Sequence, residues 1–236
     1  MYFKVCFPYL CLARLLNFLV LVHRWIYDHP KILHRDISEG NIMCRRRNGR
    51  VCGVLNDFDL ASFLDDITQT SKMRTGTRPY LAHELHPTVT AEKPPTHLYR
   101  HDLESLFYVL FLLVTVHGLH KIQKEEPPHF DLVLHPDTEC YNWFTLDDKL
   151  LNREKVILLK ASFKATATET FSRLAPCLSE FHRQLWVGLT HRSLAEQTRG
   201  NRGPQFDDST LGGNFTYEDI KHIFIKESPF KLEVLY

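Results

Sequence analysis

The stretch that decides the fold runs from Ile32 to Asp59 and reads ILHRDISEGNIMCRRRNGRVCGVLNDFD. It contains two apolar runs of strand length, residues 42–44 and 51–55. Between them lies a polar link whose Asn48-Gly49 pair is a strong short-range signal for a β-hairpin. The stretch therefore predicts a small two-stranded ribbon whose two outer ends lie side by side.

Polar side chains stand at both outer ends of this predicted ribbon. Asp36 and Asn41 come before its first strand, and Asp57 follows its second. Two carboxylates and an amide that converge on one cleft are a suitable oxygen-ligand set for Mg²⁺, with one carboxylate left for proton transfer. We therefore expect the chemistry of the protein to be located at this end of the hairpin.

The same stretch resembles the catalytic core of a protein kinase. Residues 34–41 match the pattern H-R-D-L-x-x-x-N, and residues 57–59 match D-F-G with Asp59 in place of the glycine. Three later segments extend the match: R-T-G-T at 74–77, A-H-E at 82–84 and H-D-L-E-S at 101–105. Together these motifs look like the fungal-type protein kinase family. The resemblance is strong over residues 16–116 and weak over residues 117–236.

The resemblance implies an α+β protein kinase-like fold, with residues 1–236 forming a single domain. This is a mainly helical C-terminal lobe with a small β-hairpin. A kinase also has an N-terminal lobe that carries a glycine-rich loop and a strand lysine. Neither motif is found before Asp36. We therefore expect most of the N-terminal lobe to be missing.

Helical patterns support this layout. Apolar residues at helical spacing predict a buried helix ahead of the catalytic loop, stopped by Pro30: Leu15, Leu19, Val22 and Ile26. Residues 99–116 are apolar all round after Asp102, which we expect to cap a central buried helix. The family resemblance implies a second, compatible role for Asp102, in which its side chain holds the backbone of the catalytic loop. Apolar spacing predicts a further, amphipathic helix within residues 146–163.

The C-terminal part carries weaker signals. Residues 121–137 are rich in proline and charge, so we expect a loop there, and the polar, glycine-rich residues 192–214 predict a flexible link. Thr216 and Asp219 have the spacing of a capping box before a last short helix.

The resemblance also implies roles for individual residues. Asp36 would orient and deprotonate a serine or threonine hydroxyl, with Arg35 and Ser38 in the same catalytic loop. Asn41 and Asp57 would hold Mg²⁺ that bridges the phosphates of ATP, so ATP and Mg²⁺ are the expected cofactors. Ser38 stands where serine/threonine kinases have a lysine, and a hydroxyl cannot neutralise the charge of the transferring group. This departure looks typical of the fungal-type family. Because the glycine-rich loop and the strand lysine that position the phosphates are also missing, the chain alone is expected to be inactive.

The end of the activation segment is similar to that of the family as well. Thr77 matches the threonine that meets the catalytic aspartate. Glu84 matches a glutamate that is buried against an arginine of a later helix, and Arg183 and Arg192 are both candidates for that partner. An isolated buried carboxylate is costly, so one of these pairs is required.

Composition limits the classes of partner. The chain has 236 residues, of which 44% are hydrophobic and 24% are charged, as is typical of one soluble domain. A net charge of +1 argues against nucleic-acid binding. The apolar stretch of residues 5–22 contains Arg14 and Asn17, which disfavour membrane insertion. Six cysteines without C-x-x-C spacing favour reduced thiols and a cytoplasmic or nuclear location.

The expected partners are a protein substrate and a partner that covers the face left by the missing lobe. Two other functions stay open. One is a non-catalytic kinase-like interaction module. The other is a small-molecule phosphotransferase of the kinase-like superfamily, which the pair Asp57 and Asp59 fits as a D-x-D metal motif.

Overall fold

The structure is a computed structural model, which describes residues 10–47, 50–65, 76–87, 95–122, 129–134, 140–163, 167–197 and 206–227. Its helices are α1 (Leu10–Asp28), α2 (Tyr99–Thr115), α3 (Asp148–Lys160), α4 (Ala175–Gln197) and α5 (Tyr217–Lys226). Its strands are β1 (Ile32–Leu33), β2 (Ile42–Arg47), β3 (Arg50–Leu55), β4 (Ser62–Phe63), β5 (His117–Ile122) and β6 (His129–Leu134). Short 3₁₀ turns cover Glu39–Asn41, His83–Leu85, Tyr141–Phe144 and Glu169–Leu174. The predicted class, mainly helical α+β, is confirmed.

The hairpin packs directly on α1. Strands β2 and β3 pair antiparallel from Ile42↔Leu55 to Arg47↔Arg50, which leaves a two-residue connection outside the described residues. A β-carbon at Gly53 would lie 3.0 Å from the Leu15 side chain and 3.2 Å from the Leu15 carbonyl oxygen. Because glycine has no side chain, β3 can lie against the helix backbone. The predicted hairpin and N-terminal helix are both present.

Helix α2 runs through the centre of the lobe. Every residue from Tyr99 to Val114 is buried, as the apolar sequence predicts. The helix begins at Tyr99, with Leu98 at the N-cap, so Asp102 lies within the first turn. The prediction that Asp102 caps this helix is therefore wrong. Its carboxylate instead faces the catalytic loop.

The C-terminal helices complete the core around α2. Phe107 of α2 packs on Phe181 of α4, which in turn contacts Phe215 and Phe224, with ring centroids between 5.6 and 6.2 Å apart. The predicted capping box starts α5: the Thr216 hydroxyl accepts a hydrogen bond from the backbone N–H of Asp219.

The structure differs from the sequence prediction in three places. Residues within the predicted loop 121–137 belong to an antiparallel pair, with β5 and β6 in register from His117↔Leu134 to Ile122↔His129. The predicted flexible link at 192–214 is wrong at both ends, because α4 continues to Gln197 and Leu211 is fully buried. In α3, Leu151 and Leu159 are buried as predicted, whereas Leu150 and Ile157 are exposed.

No helix in the described part of the chain combines the length and the apolar character needed to cross a membrane.

Candidate active site

A catalytic loop of residues 34–41 connects β1 to β2. Its path depends on Asp102, whose carboxylate accepts hydrogen bonds from the backbone N–H groups of His34 (3.1 Å) and Arg35 (3.2 Å). Arg35 has a φ of 68°, a left-handed conformation that a side chain adopts only when its surroundings hold it there. Asp102 therefore holds the sharpest bend of the loop.

Asp102 is a buried anion with a full set of donors. Besides the two backbone groups, its oxygens lie 2.8 Å from Nε2 of both His23 and His97. Burial by itself raises the pKa of Asp102. Interactions with His97 and His23 outweigh burial and hold that pKa well below its usual range. Asp102 is thus ionised, and its hydrogen bonds to the loop are charge-assisted.

Asp36 is held from two sides. Its Oδ1 accepts hydrogen bonds from the backbone N–H (2.7 Å) and the hydroxyl (2.9 Å) of Thr77, and its Oδ2 accepts one from Asn41 Nδ2 (2.8 Å). The approach of Thr77 requires Gly76, which has a φ of 136°, and a β-carbon there would lie 3.2 Å from the Arg35 carbonyl oxygen. The carboxylate is consequently fixed in orientation.

Asn41 contacts this carboxylate, and Asp57 lies at the same open end of the hairpin. Asn41 Nδ2 also donates to the backbone oxygen of Asp36 (2.9 Å), so the amide oxygen of Asn41 faces away from Asp36. The backbone N–H of Asn56 donates to the Asn41 carbonyl (2.9 Å), which brings Asp57 next to Asn41. Asp57 is exposed and has a φ of 61°.

These two side chains offer the oxygen donors that Mg²⁺ prefers. Magnesium usually takes one or two protein oxygens and completes its octahedron with phosphate and water. Within the described residues, no group of three or more His, Cys, Asp or Glu side chains is arranged to hold a metal ion. The Asn41 amide and the Asp57 carboxylate supply two protein oxygens, so the donor set fits a Mg²⁺ that also brings phosphate ligands.

His34 joins the catalytic loop to the Asp57 turn. Its ring lies 4.6 Å from the ring of Phe58 between centroids, and its Nε2 lies 3.1 Å from the carbonyl oxygen of Asn56. Burial lowers the pKa of His34, so the ring is neutral and Nε2–H donates to that carbonyl. The two motifs are thus packed against each other.

The remaining predicted site residues lie in different surroundings. Ser38 and Arg35 are buried, with 3% and 6% of their surface exposed. Burial also lowers the pKa of Arg35, an effect that Asp102 opposes. Asp59 is exposed, and its backbone N–H lies 3.4 Å from Asp57 Oδ1.

Glu84 has two arginine partners. Arg192 of α4 contacts its Oε1, and Arg100 of α2 donates to its Oε2 at 2.7 Å. Arg183 instead pairs with Glu180 on the surface of α4. Of the two sequence candidates, Arg192 is therefore correct. Arg100 was missed, although a charged residue at the start of an apolar helix was a usable signal.

Three further polar residues near the site were missed by the sequence analysis. They are His23, Glu104 and Lys155, all buried. His23 and Glu104 interrupt apolar helices, a pattern that points to a specific buried partner. Lys155 lies among other charged residues of an amphipathic helix, and nothing in the sequence sets it apart.

Comparisons with known proteins agree with the motifs. Residues 12–114 match the family model described as fungal protein kinase. No curated protein matches the chain. Among solved structures, the chain is similar to the Cydia pomonella granulovirus kinase PK-1, with 14% identity and a TM-score of 0.45. That alignment covers 94% of this chain and 59% of the viral kinase. The resemblance to fungal-type kinases is confirmed over residues 12–114.

Proposed function

We propose that this chain, which is similar to fungal protein kinases over residues 12–114, is the catalytic-loop lobe of a protein kinase. The reaction is ATP-dependent phosphoryl transfer to serine or threonine hydroxyls of a protein substrate. The observation that carries the proposal is the double hold on Asp36, by Thr77 at Oδ1 and by Asn41 at Oδ2. A carboxylate fixed in this way is suited to orient one alcohol and to take its proton.

Asp36 Oδ1 already accepts a hydrogen bond from an alcohol. The Thr77 hydroxyl lies 2.9 Å from this oxygen, within the 2.6–3.2 Å range that proton transfer requires. A substrate hydroxyl that reaches the same carboxylate is oriented for in-line attack, and its proton passes to Asp36. Phosphoryl transfer depends mainly on such positioning and on charge stabilisation.

Asn41 and Asp57 are the residues that would hold Mg²⁺. Bound there together with ATP, Mg²⁺ would supply positive charge next to the phosphate oxygens. The role of the chain is to present the Asn41 amide oxygen and the Asp57 carboxylate at the mouth of the hairpin. The backbone hydrogen bond from Asn56 to Asn41 keeps the two chain segments that carry these side chains next to each other.

A second function has one observation in its favour. Ser38 replaces the usual lysine, and its side chain is buried, so the catalytic loop offers no cation there to the transferring phosphoryl group. This favours a non-catalytic kinase-like module. A small-molecule phosphotransferase is less well supported, because the ordered segment from Thr77 to Glu84 is suited to contact a polypeptide beside Asp36.

The test is transfer of radiolabelled phosphate from ATP to a mixed protein substrate. We expect no measurable transfer by the 236-residue chain alone, and transfer when a kinase N-terminal lobe with its glycine-rich loop and lysine is fused ahead of it. In the fused protein, Asp36→Asn should reduce the rate by about 10³-fold or more. Asp65→Asn, an exposed control, should leave it unchanged.

Two outcomes would contradict this scheme. Robust Asp36-dependent transfer by the chain alone would show that no N-terminal lobe is needed. Absence of both transfer and Mg²⁺-ATP binding in the fused protein would favour the non-catalytic module.

A further inference from the structure

Lys155 is a fully buried lysine that contacts the activation segment. It lies in α3 and has no exposed surface. Its Nζ donates to the carbonyl oxygens of Arg78 (3.1 Å) and Leu81 (2.5 Å), and it lies 3.0 Å from Nε2 of His86. Burial lowers the pKa of Lys155, whereas the charges of Glu104 and Asp148 oppose this effect. In the protonated form, the three N–H donors of Nζ meet three acceptors, all in one short segment.

A buried anion contacts the same segment on the other side. Glu104 of α2 accepts hydrogen bonds at Oε1 from the backbone N–H of His83 (2.7 Å) and from the hydroxyl of Tyr108 (2.8 Å). The Tyr108 ring lies 4.4 Å from Lys155 Nζ, between the two charges. A cation therefore binds carbonyl groups of the segment while an anion binds one of its N–H groups, so each charge is matched to the backbone polarity it faces.

Burying a lysine usually lowers the stability of the folded protein, so stability alone does not explain the position of Lys155. Lysine is among the residues least often fully buried, and an ammonium group loses much solvation energy in the interior. Arg78 is exposed, so water could satisfy its carbonyl group at little cost, whereas the carbonyl group of the buried Leu81 needs a protein donor. One buried lysine that binds both carbonyl groups fixes the turn in one conformation, which is of use where position matters more than stability.

The anchored turn contains the residue that touches Asp36. The backbone N–H groups of Tyr80 and Leu81 both donate to the Thr77 carbonyl, at 2.9 and 3.1 Å. Lys155 binds the next carbonyl, that of Arg78, and also that of Leu81. The lysine therefore controls the shape of the turn 77–81, and through it the place of Thr77 against Asp36.

We propose that Lys155 is a positioning residue for the protein substrate: it holds the turn 77–81 as a preformed edge beside Asp36, along which the substrate polypeptide lies. The proposal rests on the proposed kinase function for the identity of the substrate. The anchoring itself does not depend on that function.

The first experiment is hydrogen–deuterium exchange on the 236-residue chain. In Lys155→Met, amides of residues 76–87 should exchange at least about tenfold faster, while those of α5 are unchanged. Lys160→Met, an exposed lysine of the same helix, should change neither region. Unchanged exchange at 76–87, or an equal rise in both regions, would overturn the proposal.

If Lys155→Met does not fold, Lys155→Arg decides by the same criterion. Arginine keeps the charge, but its planar guanidinium does not reproduce the three-acceptor fit. Faster exchange confined to 76–87 supports the anchoring. If neither variant folds, Lys155 is a folding residue and the proposal is overturned.

The second experiment uses the fused protein that carries an N-terminal lobe. Lys155→Met should raise KM for the protein substrate about tenfold or more and leave KM for ATP unchanged, because Asn41 and Asp57 are not touched. Lys155→Arg should recover part of this loss. Equal changes in both KM values, or none, would count against a positioning role. If the fused protein without any substitution shows no phosphate transfer, the proposed kinase function fails. The hydrogen–deuterium exchange experiment then tests by itself whether Lys155 anchors the turn 77–81.

Discussion

The structure describes both ends of the segment from Asp57 to Glu84, and the two ends differ in how strongly the rest of the protein holds them. At the proposed metal end, residues 56–59 are all exposed, and Asp57 Oδ1 has a 3.4 Å contact with the backbone of Asp59. At the proposed substrate end, the turn 77–81 and Glu84 bind charged or polar groups of the 34–41 loop and of α2, α3 and α4. The first end is exposed apart from the contacts that His34 makes with it, and the second is held by buried charges.

This difference indicates where the protein supplies order and where a ligand has to supply it. A carboxylate in water keeps its solvation until a metal ion and phosphates displace it, so the proposed metal end would gain its geometry on binding. Buried charges at the substrate end already have their partners and cannot relax without a large penalty. Substitutions should therefore be costly at the anchored end and nearly free at the open end.

The largest effect is expected at Asp102. Asp102→Ala leaves His23, His97 and two backbone N–H groups of the catalytic loop without their acceptor. We expect the free energy of unfolding to fall by about 3–5 kcal/mol. Urea unfolding measures this. Asp59→Ala, at the exposed end, should change it by less than about 0.5 kcal/mol, and equal losses for the two variants would remove the contrast.

The second largest effect is expected from acid, which should lower the free energy of unfolding through buried histidines. His86 lies against Lys155, and burial followed by the charge of Lys155 lowers its pKa to about 4, against the opposing effect of Asp148 and Glu104. Burial also lowers the pKa values of His34, His101 and His182. A histidine with a lowered folded pKa binds protons preferentially in the unfolded chain. Its contribution is therefore complete above about pH 6.5 and is lost as pH falls toward 4.

For His86 alone this loss is on the order of 3 kcal/mol. Urea unfolding at pH 7.5, 6 and 5 should show stability that falls with acid, and His86→Gln should flatten the slope. Glutamine still offers an acceptor to Lys155, so the anchor is retained. His29→Gln, at an exposed histidine, is the control. An identical pH dependence in His86→Gln and the unsubstituted chain would show that His86 is not the group that titrates.

A smaller effect is expected from the arginines that the sequence left undecided. Arg192→Ala removes contacts to Glu84 and Asp208 that are partly exposed, so we expect a loss of about 1–2 kcal/mol. Arg183→Ala breaks a surface pair with Glu180 and should cost less than about 0.5 kcal/mol. Thermal or urea unfolding of the two variants side by side tests the assignment, and the reverse order would contradict it.

The contrast between the two ends also explains what the sequence predicted well. Local spacing reports the hairpin, α1 and the loop from His34 to Asn41, although the path of that loop also depends on the distant Asp102. Local spacing does not report charged partners that are distant in the sequence: Glu84 meets Arg192 more than a hundred residues later, and Lys155 meets Leu81. Which residues of an amphipathic helix face a backbone carbonyl depends on how the helices pack, which periodicity does not encode.

The sequence analysis also missed the pairing of β5 with β6, for a related reason. The charges and prolines of residues 121–137 indicated a loop, whereas β5 and β6 are held by backbone pairing, which depends little on residue type. Asp102 shows the opposite case. The sequence placed it correctly at the start of α2, and the family resemblance implied its contact with the catalytic loop, but the spacing alone suggested a cap.

The smallest effect on stability should come from Asp57, the proposed metal ligand. Its φ of 61° is tolerated by asparagine as well as by aspartate, so Asp57→Asn should change the free energy of unfolding by less than about 0.5 kcal/mol. Its carboxylate is exposed, so no buried charge loses a partner. Binding should respond differently: in the fused protein, Mg²⁺-ATP should raise the melting temperature, and Asp57→Asn should remove most of that rise. Asp65→Asn, at an exposed aspartate that is not a proposed metal ligand, should keep it. A retained Mg²⁺-ATP shift in Asp57→Asn would place the metal elsewhere, and a large loss of stability would show that this end is anchored after all.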